Sequence, residues 1–588
     1  MQQGSGCSCT SLGFFVGFLS LSLCLFLWCF NVFFIYVPRF TLYISRDAIG
    51  VHLRECYRNT SNIRCPVYIN CSLELPKQML MVAFGVVAMR PMWTSTYIEG
   101  VPQDPSEDQQ PRQVHQACYS KVKPTKMPQP KMLLWNDELA QELGFENNAE
   151  VWSGNVQIEG MVPFAHCYGG HQFGTWAGQL GDGRAISLGT LRVDHALLEV
   201  QLKGSGITPY SRRGDGRAVL RSSLREFLCS EAMFHLGIPT SRALSLVSTG
   251  EQVVRDLLYD GHPAEEQGAI VTRIAQSFLR FGSFEIHASR NDQETLRQLL
   301  DYVLLHFHKR EYDFNTDCLN WLRHVGQETA RLVCEWMRVG FVHGVMNTDN
   351  MSIHSVTIDY GPYGWVEPYE LDWTPNTTDK FSKRYTYGNQ PMIAMWNYAR
   401  LLDSILPSFS MEQEKRPLLE SFQKAFQSEH HRMWCNKLGI KELTEESIVV
   451  IEECQQLLQE SKLDMTIFFR ELSIHSQTSI EFIHDAAYQP IQRIDAWMEW
   501  FNKWNALTNN RPDKELMLAS NPKYVLRNWL AFEAIERAEQ GDFSYAMELY
   551  DCLKNPYEEQ DHYSKKFYQK RPEWAEHKPG CSMLSCSS

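Results

Sequence analysis

None of the 17 cysteines forms a Cys-x-x-Cys pair, which removes the spacing that structural zinc sites and thioredoxin-type motifs need. The scattered thiols read as reduced core residues. The polar C-terminal tail is the exception. Cys581 and Cys586 have no core to join there, so exposed thiols are expected, with Cys586 forming a reversible disulfide, Cys581 being one partner. Basic charge is also short. With 56 Lys and Arg against 69 Asp and Glu, the formal charge is −13, which argues against a nucleic-acid binder that works by broad electrostatic attraction. Basic residues must then act locally. Charge of either sign is missing from Gly13 to Val37, a stretch long enough to cross a bilayer. No Lys or Arg precedes it, against a secretory signal, and it lacks the Arg-rich amphipathic pattern of a mitochondrial transit peptide. A membrane anchor through residues 13–37 is the face-value reading, with Arg39 and Arg46 placing the following chain on the cytoplasmic side. A mis-assigned translation start is the other.

The 588 residues, 44% hydrophobic, suffice for a large core in more than one lobe. Five regions are expected. Residues 1–102 are an atypical N-terminal region, and 103–132, rich in Pro, Gln and charge, a linker or surface arm. Strand patterns dominate 133–290, helical patterns 291–555, and 556–588 is a tail carrying Cys586. In the strand-rich region, glycines from Gly169 to Gly183 lead to Arg184, a composition that lets backbone approach a phosphate or else makes a tight hairpin. His166, Cys167 and His171 lack further ligands at metal spacing and read as a packed polar cluster. The alternating stretch Leu198–Lys203 ends in a lysine, followed by Asp215, Gly216 and a helix pattern bearing Glu226 and Glu231. A strand lysine paired with a helix glutamate is how kinase-like folds hold phosphates. Arg273 and Arg280 stand in an apolar run and need anions, either phosphate or internal carboxylates.

The densest chemistry lies between Val342 and Gly361, which contains His343, Asp349, Asn350 and Asp359. Alternating Ile353, Val356 and Ile358 read as a hairpin arm delivering Asp359. Asn350 and Asp359 are hard oxygen donors suited to Mg²⁺. The order His, then Asn seven residues on, then Asp-aromatic-Gly is that of the kinase catalytic and metal loops. An Asx-rich turn would use the same residues. Kinases place a catalytic Asp two residues after the His, and that position is Val345. The other nearby carboxylate able to take a proton is Asp349. As a loop carboxylate, Asp359 is expected to be removable without loss of the fold.

Taken together, Ala177-Gly-Gln-Leu-Gly-Asp-Gly-Arg184, Gln201-Leu-Lys-Gly204, Ser223-Leu-Arg-Glu-Phe227, His343-Gly-Val-Met-Asn-Thr-Asp-Asn350, Arg384-Tyr-Thr-Tyr-Gly-Asn-Gln-Pro391 and Asn521-Pro-Lys-Tyr-Val-Leu-Arg-Asn528 resemble the selenoprotein O family. The resemblance runs from about Gln113 to the C-terminus. It implies an α+β, protein-kinase-like two-lobe fold with a strand-rich N-lobe, a helical C-lobe and extra C-terminal helices. It implies an Mg²⁺-dependent enzyme, with Mn²⁺ as a substitute, that binds ATP in a flipped orientation and transfers AMP to Ser, Thr or Tyr hydroxyls of proteins. Carried over, Gly181, Gly183, Arg184, Lys203, Asp215, Gly216, Arg273, Arg280 and Asp359 bind the nucleotide. Glu226 pairs with Lys203, Asn350 and Asp359 hold metal, and Asp349 accepts the proton. Cys586 stands where many members carry selenocysteine, and eukaryotic members imply a mitochondrial location. A phosphotransferase using Asp349, and a nucleotide-binding module without turnover, are the competing readings.

Overall fold

The computed structural model describes residues 32–37, 40–45, 92–256, 261–475 and 481–585, and divides into two units, Met1–Val86 and Val87–Ser588. In the first, β1 (Val32–Val37) and β2 (Phe40–Ser45) pair antiparallel. β1 is the last part of the uncharged stretch; residues 13–31 lie outside the described residues. Among the described residues no helix is long and apolar enough to cross a membrane.

The second unit is α+β, with a strand-rich lobe followed by a helical one. Its sheet contains β3 (Met92–Thr94), β4 (Tyr119–Lys121), β5 (Lys131–Trp135), β6 (Phe164–His166), β9 (Ala185–Val193), β10 (Ala196–Lys203), β11 (Ala218–Val219), β12 (Arg242–Arg255) and β13 (Ala264–Ala275). The path is β4-β6-β9-β10-β13-β12-β5, with β3 added on β9 and β11 on β13. A separate hairpin joins β7 (Gly169–Gln172) to β8 (Thr175–Gln179). Its two-residue turn, Phe173-Gly174, has positive φ at both positions, 51° and 85°, as a type I′ turn requires. The first half of the glycine-rich stretch is thus a hairpin, the alternative its composition allowed.

Period-two alternation decides what each strand shows to each side. Val200 and Leu202 on β10, with Ile270 and Ile274 on β13, pack with Trp152 and Leu188 into one core. The intervening residues Gln201, Lys203 and Arg273 turn to the opposite face, where Val271 joins the core around helix α1 (Leu220–His235). Gln201 and Arg273 are directly opposed in the register, so the sheet itself brings them together.

The helical lobe begins with α2 (Phe281–Ser289) and α3 (Gln293–Val303) and is centred on α4 (Phe314–Val339), which stops at Gly340 with φ +78°. Two-residue strands β14 (Phe341–Val342) and β15 (Gly364–Trp365) then pair and close the base of the loop between them. Helix α5 (Gln390–Ile405) follows. Trp497, Trp500 and Trp504 are buried in the later helices, where their spacing put them in the core.

Three sequence expectations need correction. The stretch Ile353–Ile358 makes no hairpin arm; Ser352 and Thr357 form only isolated bridges, to Arg280 and Thr240. Ser355 takes φ +50° and its hydroxyl contacts Thr329 on α4, so serine side chains turn the backbone away from a ladder; Ile353 buries in the large core, whereas Ile358 and Val356 pack in a separate cluster with Ala275 and Phe278. The arm at 103–132 is not a surface linker: Ala117, Cys118, Tyr119 and Met127 are buried, and β4 is part of the sheet. Cys581 is not exposed. The tail docks through Leu584, whose N–H donates to Pro375 O at 3.1 Å and whose carbonyl accepts from Thr377 N at 2.7 Å. Cys581 is 1% exposed, and burial pushes its thiol up to about 12. Cys586 lies outside the described residues. Cys581 is therefore expected to resist iodoacetamide at pH 8 in the native protein and to react in urea, as read by peptide mass spectrometry.

Candidate active site

Where the strand-rich and helical lobes meet, a cleft of about 890 Å³ is lined by Gly181, Gly183, Arg184, Lys203, Asp215, Gly216, Arg273, Asp349, Asn350 and Asp359. That volume suits a nucleotide-sized ligand. At Gly181 and Gly183 a β-carbon would lie 2.3 Å from the Tyr210 ring and 2.8 Å from the Tyr210 carbonyl, so both turns are packed too closely for any other residue. Gly216, at φ +70°, packs equally tightly on Gly206.

Lys203 reaches across from β10 to α1, its Nζ donating to Glu226 Oε2 at 2.6 Å. Arg273 donates to the other oxygen of Glu226 at 2.9 Å and to Asp359 Oδ1 at 2.6 Å. Its remaining nitrogens, Nε and Nη2, both donate to Gln201 Oε1, at 2.9 and 2.6 Å. Arg280 donates to Asp359 Oδ2 at 2.5 Å and to the Asp349 carbonyl at 2.8 Å. Asp359 holds φ +56° and carries Lys203 Nζ at 4.0 Å besides. Burial works against its charge, yet Arg273, Arg280 and Lys203 outweigh it and hold the carboxyl well below the usual range. Internal carboxylates pair with both arginines. Arg280, 1% exposed, stands behind Asp359 and does not reach the cleft wall.

Asp349 sits differently. β7 lies along its loop: His171 N donates to Thr348 Oγ1 at 2.7 Å, Gln172 Nε2 to Asp349 Oδ2 at 3.2 Å, and Phe173 N to Asn347 Oδ1 at 3.2 Å. A β-carbon on Gly170 would be 2.6 Å from Asp349 Oδ1, so only glycine permits this approach. Oδ1 is buried without a hydrogen-bond partner. Burial raises the carboxyl to about 7, against the lowering effect of Gln172 and Arg280. Val345, at the kinase acid position, is buried.

The family model described as Protein adenylyltransferase SelO matches residues 107–554. The chain belongs to that family. Among its relatives, Protein nucleotidyltransferase YdiU of Aromatoleum aromaticum is 48% identical over 516 residues, covering 84% of this chain and 98% of the relative. The protein of the same name from Tolumonas auensis shows the same identity and coverage. That of Flavobacterium johnsoniae is 46% identical over 517 residues, 83% of this chain and 98% of the relative. The match to the adenylyltransferase family falls within the second unit and includes every element that lines the cleft.

The donor set also fits the divalent cation that this adenylyltransferase family implies. Asn350 Nδ2 is committed to Val345 O at 2.8 Å, which leaves the amide oxygen as its cation donor, and Asp359 is held ionised in the same cleft. Among the described residues no cluster of three His, Cys, Asp or Glu side chains forms a metal cage elsewhere. Asp215, which lines the cleft, pairs with Arg255 at 2.8 Å on its rim and is half exposed. Sequence reasoning missed Gln172, Gly170 and Gln201, together with Arg212, Arg213 and Arg255 on the cleft lining. Gln201 was accessible, being two residues from Lys203 on one strand face.

Removing Asp359 leaves Arg273 and Arg280 buried without their carboxylate. The expectation that the fold is indifferent to this loss is therefore corrected: Asp359→Ala should lose about 3–5 kcal/mol in denaturant unfolding, and Asp359→Asn less, since the amide oxygen still accepts. For Asp349 the sign is opposite. Its carboxyl ionises near 3.8 when unfolded and about 7 when folded, so it contributes stability below pH 4 that is lost as pH rises through 7. With chelator present, Asp349→Asn should be the more stable protein at pH 8, by a few kcal/mol, and show no such gain at pH 4.

Proposed function

We propose that the protein transfers AMP from ATP to Ser, Thr or Tyr hydroxyls of other proteins and releases pyrophosphate. The observation that carries this reading is the exchange within one loop: Val345 offers no carboxylate where a kinase base stands, while Asp349 presents one to the cleft. The acceptor oxygen attacks the α-phosphorus, the bond from that phosphorus to the bridging oxygen breaks, and the hydroxyl proton passes to Asp349.

The cations distribute over this chemistry. Lys203, oriented by Glu226, and Arg184 face the phosphates, and Gly181, Gly183 and Gly216 form part of the same cleft wall. Arg273 lines the same wall while holding Asp359, and Arg280 acts from behind, through Asp359. Asn350 and Asp359 would hold Mg²⁺, or Mn²⁺ as a substitute, and the cation would supply charge neutralisation at the triphosphate. A flipped nucleotide places the far phosphates among the buried cations and the α-phosphate toward the acceptor. The pyrophosphate anion then meets more positive charge than metal alone provides. Mitochondrial residence and a redox-active Cys586 belong to the same proposal on the strength of the family resemblance.

Incubation with ATP labelled at either phosphate tests this reading. Label from the α-position is expected on protein, with pyrophosphate released and none from the γ-position. Asp349→Asn should reduce the transfer by 10²-fold or more, on the order seen for loss of a general base. Retention of γ-label would establish a phosphotransferase, and nucleotide binding without any label a non-catalytic module.

A further inference from the structure

Arg384 lies just outside the nucleotide cleft, beside the loop that carries Asp349. Its guanidinium stacks over Trp396, 4.7 Å from the ring centroid. A β-carbon on Gly174, at the tip of the β7–β8 hairpin, would stand 3.4 Å from it. The next residue, Tyr385, donates its hydroxyl to Asn347 in the catalytic loop and accepts from Phe173 N at 3.0 Å. Arg384 is thus tied to both walls that flank Asp349, yet it is absent from the cleft lining.

Its neighbours are paired, Lys383 with Asp372 and Arg400 with Asp403 at 2.8 Å. Arg384 makes no ion pair with any carboxylate among the described residues, and its Nε is buried without a hydrogen-bond partner. Three residues earlier Phe381 is 96% exposed. Leu371, 39% exposed, adjoins the same segment, its carbonyl accepting from Gly388 N at 2.7 Å. A guanidinium that rests on an indole and bonds the Tyr385 hydroxyl but no carboxylate is a preformed carboxylate receptor. In a chain of net charge −13, such a local cation selects by charge complementarity.

We propose that the 371–392 segment is the docking surface for the acceptor protein. An acidic side chain near the target hydroxyl pairs with Arg384, and an apolar one covers Phe381. The acceptor class is therefore a hydroxyl flanked by aspartate or glutamate. This rests on the reading of the protein as acting on protein hydroxyls, so its test reads binding without ATP, where failure of AMP transfer has no effect.

The probes are fluorescent short peptides with a central serine flanked by aspartate, asparagine or lysine, titrated into the full chain and followed by anisotropy. The aspartate peptide is expected to bind about tenfold tighter than the asparagine one, the worth of one charge-assisted pair. Arg384→Gln should abolish that preference and Arg384→Glu should turn it toward the lysine peptide. Phe381→Asp, at a site where nothing packs, should weaken all three while leaving the circular dichroism spectrum unchanged. Equal affinity of the wild type for aspartate and asparagine peptides would overturn the proposal. So would a preference that survives in a folded Arg384→Gln protein, unaltered binding by Phe381→Asp, or binding of none of the peptides. If Arg384→Gln instead lowered affinity for an ATP analogue, Arg384 would belong to the nucleotide site and the proposal would fall.

Discussion

One carboxylate, Asp359, is the point at which the two lobes are electrically joined. Arg273 comes from the sheet and Arg280 from the start of α2. Each guanidinium is buried; Arg273 is shared between Asp359 and Glu226, while Arg280 has Asp359 at 2.5 Å and Asp182 only at 3.8 Å. Desolvating three charges is costly unless every lone pair and N–H finds a partner, and here nearly all do. The carboxylate's left-handed backbone and its two arginines fix where any cation shared with Asn350 must sit.

That fixation extends inward as a polar chain. Arg273 rests on Gln201, Gln201 donates to Ser187 and Asp182 at 3.0 and 3.1 Å, and Ser187 donates to Glu199, which pairs with buried His166 at 2.7 Å. His166 in turn contacts the Tyr97 hydroxyl at 3.0 Å. Such a network specifies structure in proportion to how completely it is satisfied, and here Asp182 Oδ1 is left buried without a hydrogen-bond partner. The network converts the sheet from a hydrophobic wall into a scaffold that holds a cationic face rigid against α1. The two residues that sequence order separates by more than seventy positions, Gln201 and Arg273, are neighbours because strands β10 and β13 pair in that register.

What was legible in the sequence follows from the range of the interactions. Lys203, Glu226, Asp349, Asn350 and Asp359 sit in short motifs whose order carries their chemistry, and the structure gathers them at one junction. Strand alternation identified β10, because period two is a local property. Arg280 was harder. An arginine in an apolar run announces a need for an anion but not which one, and its partner lies 79 residues away. Local polarity misled at Cys581, since the tail is polar in itself and becomes interior only by docking on 375–377. Alternation misled at Ile353–Ile358, where burial in two separate clusters mimics the two faces of a strand. Gln172 and Gly170 were invisible, as their importance arises only when a hairpin lies on a loop 177 residues later.

The contact of Gly170 with Asp349 has a consequence for how this surface can vary. The last two residues of β7 and the turn residue Phe173 bond three successive residues of the loop, so the two segments fit together like a template and its cast, with a hydrogen atom as the only spacer at Gly170. A methyl group at 170 would wedge them apart along their whole length, and no change in the loop could restore the fit without moving Asp349 itself. The neighbouring cleft rim, where Arg255 pairs with Asp215, has no such close seam, while at Gly170 the alphabet shrinks to a single letter.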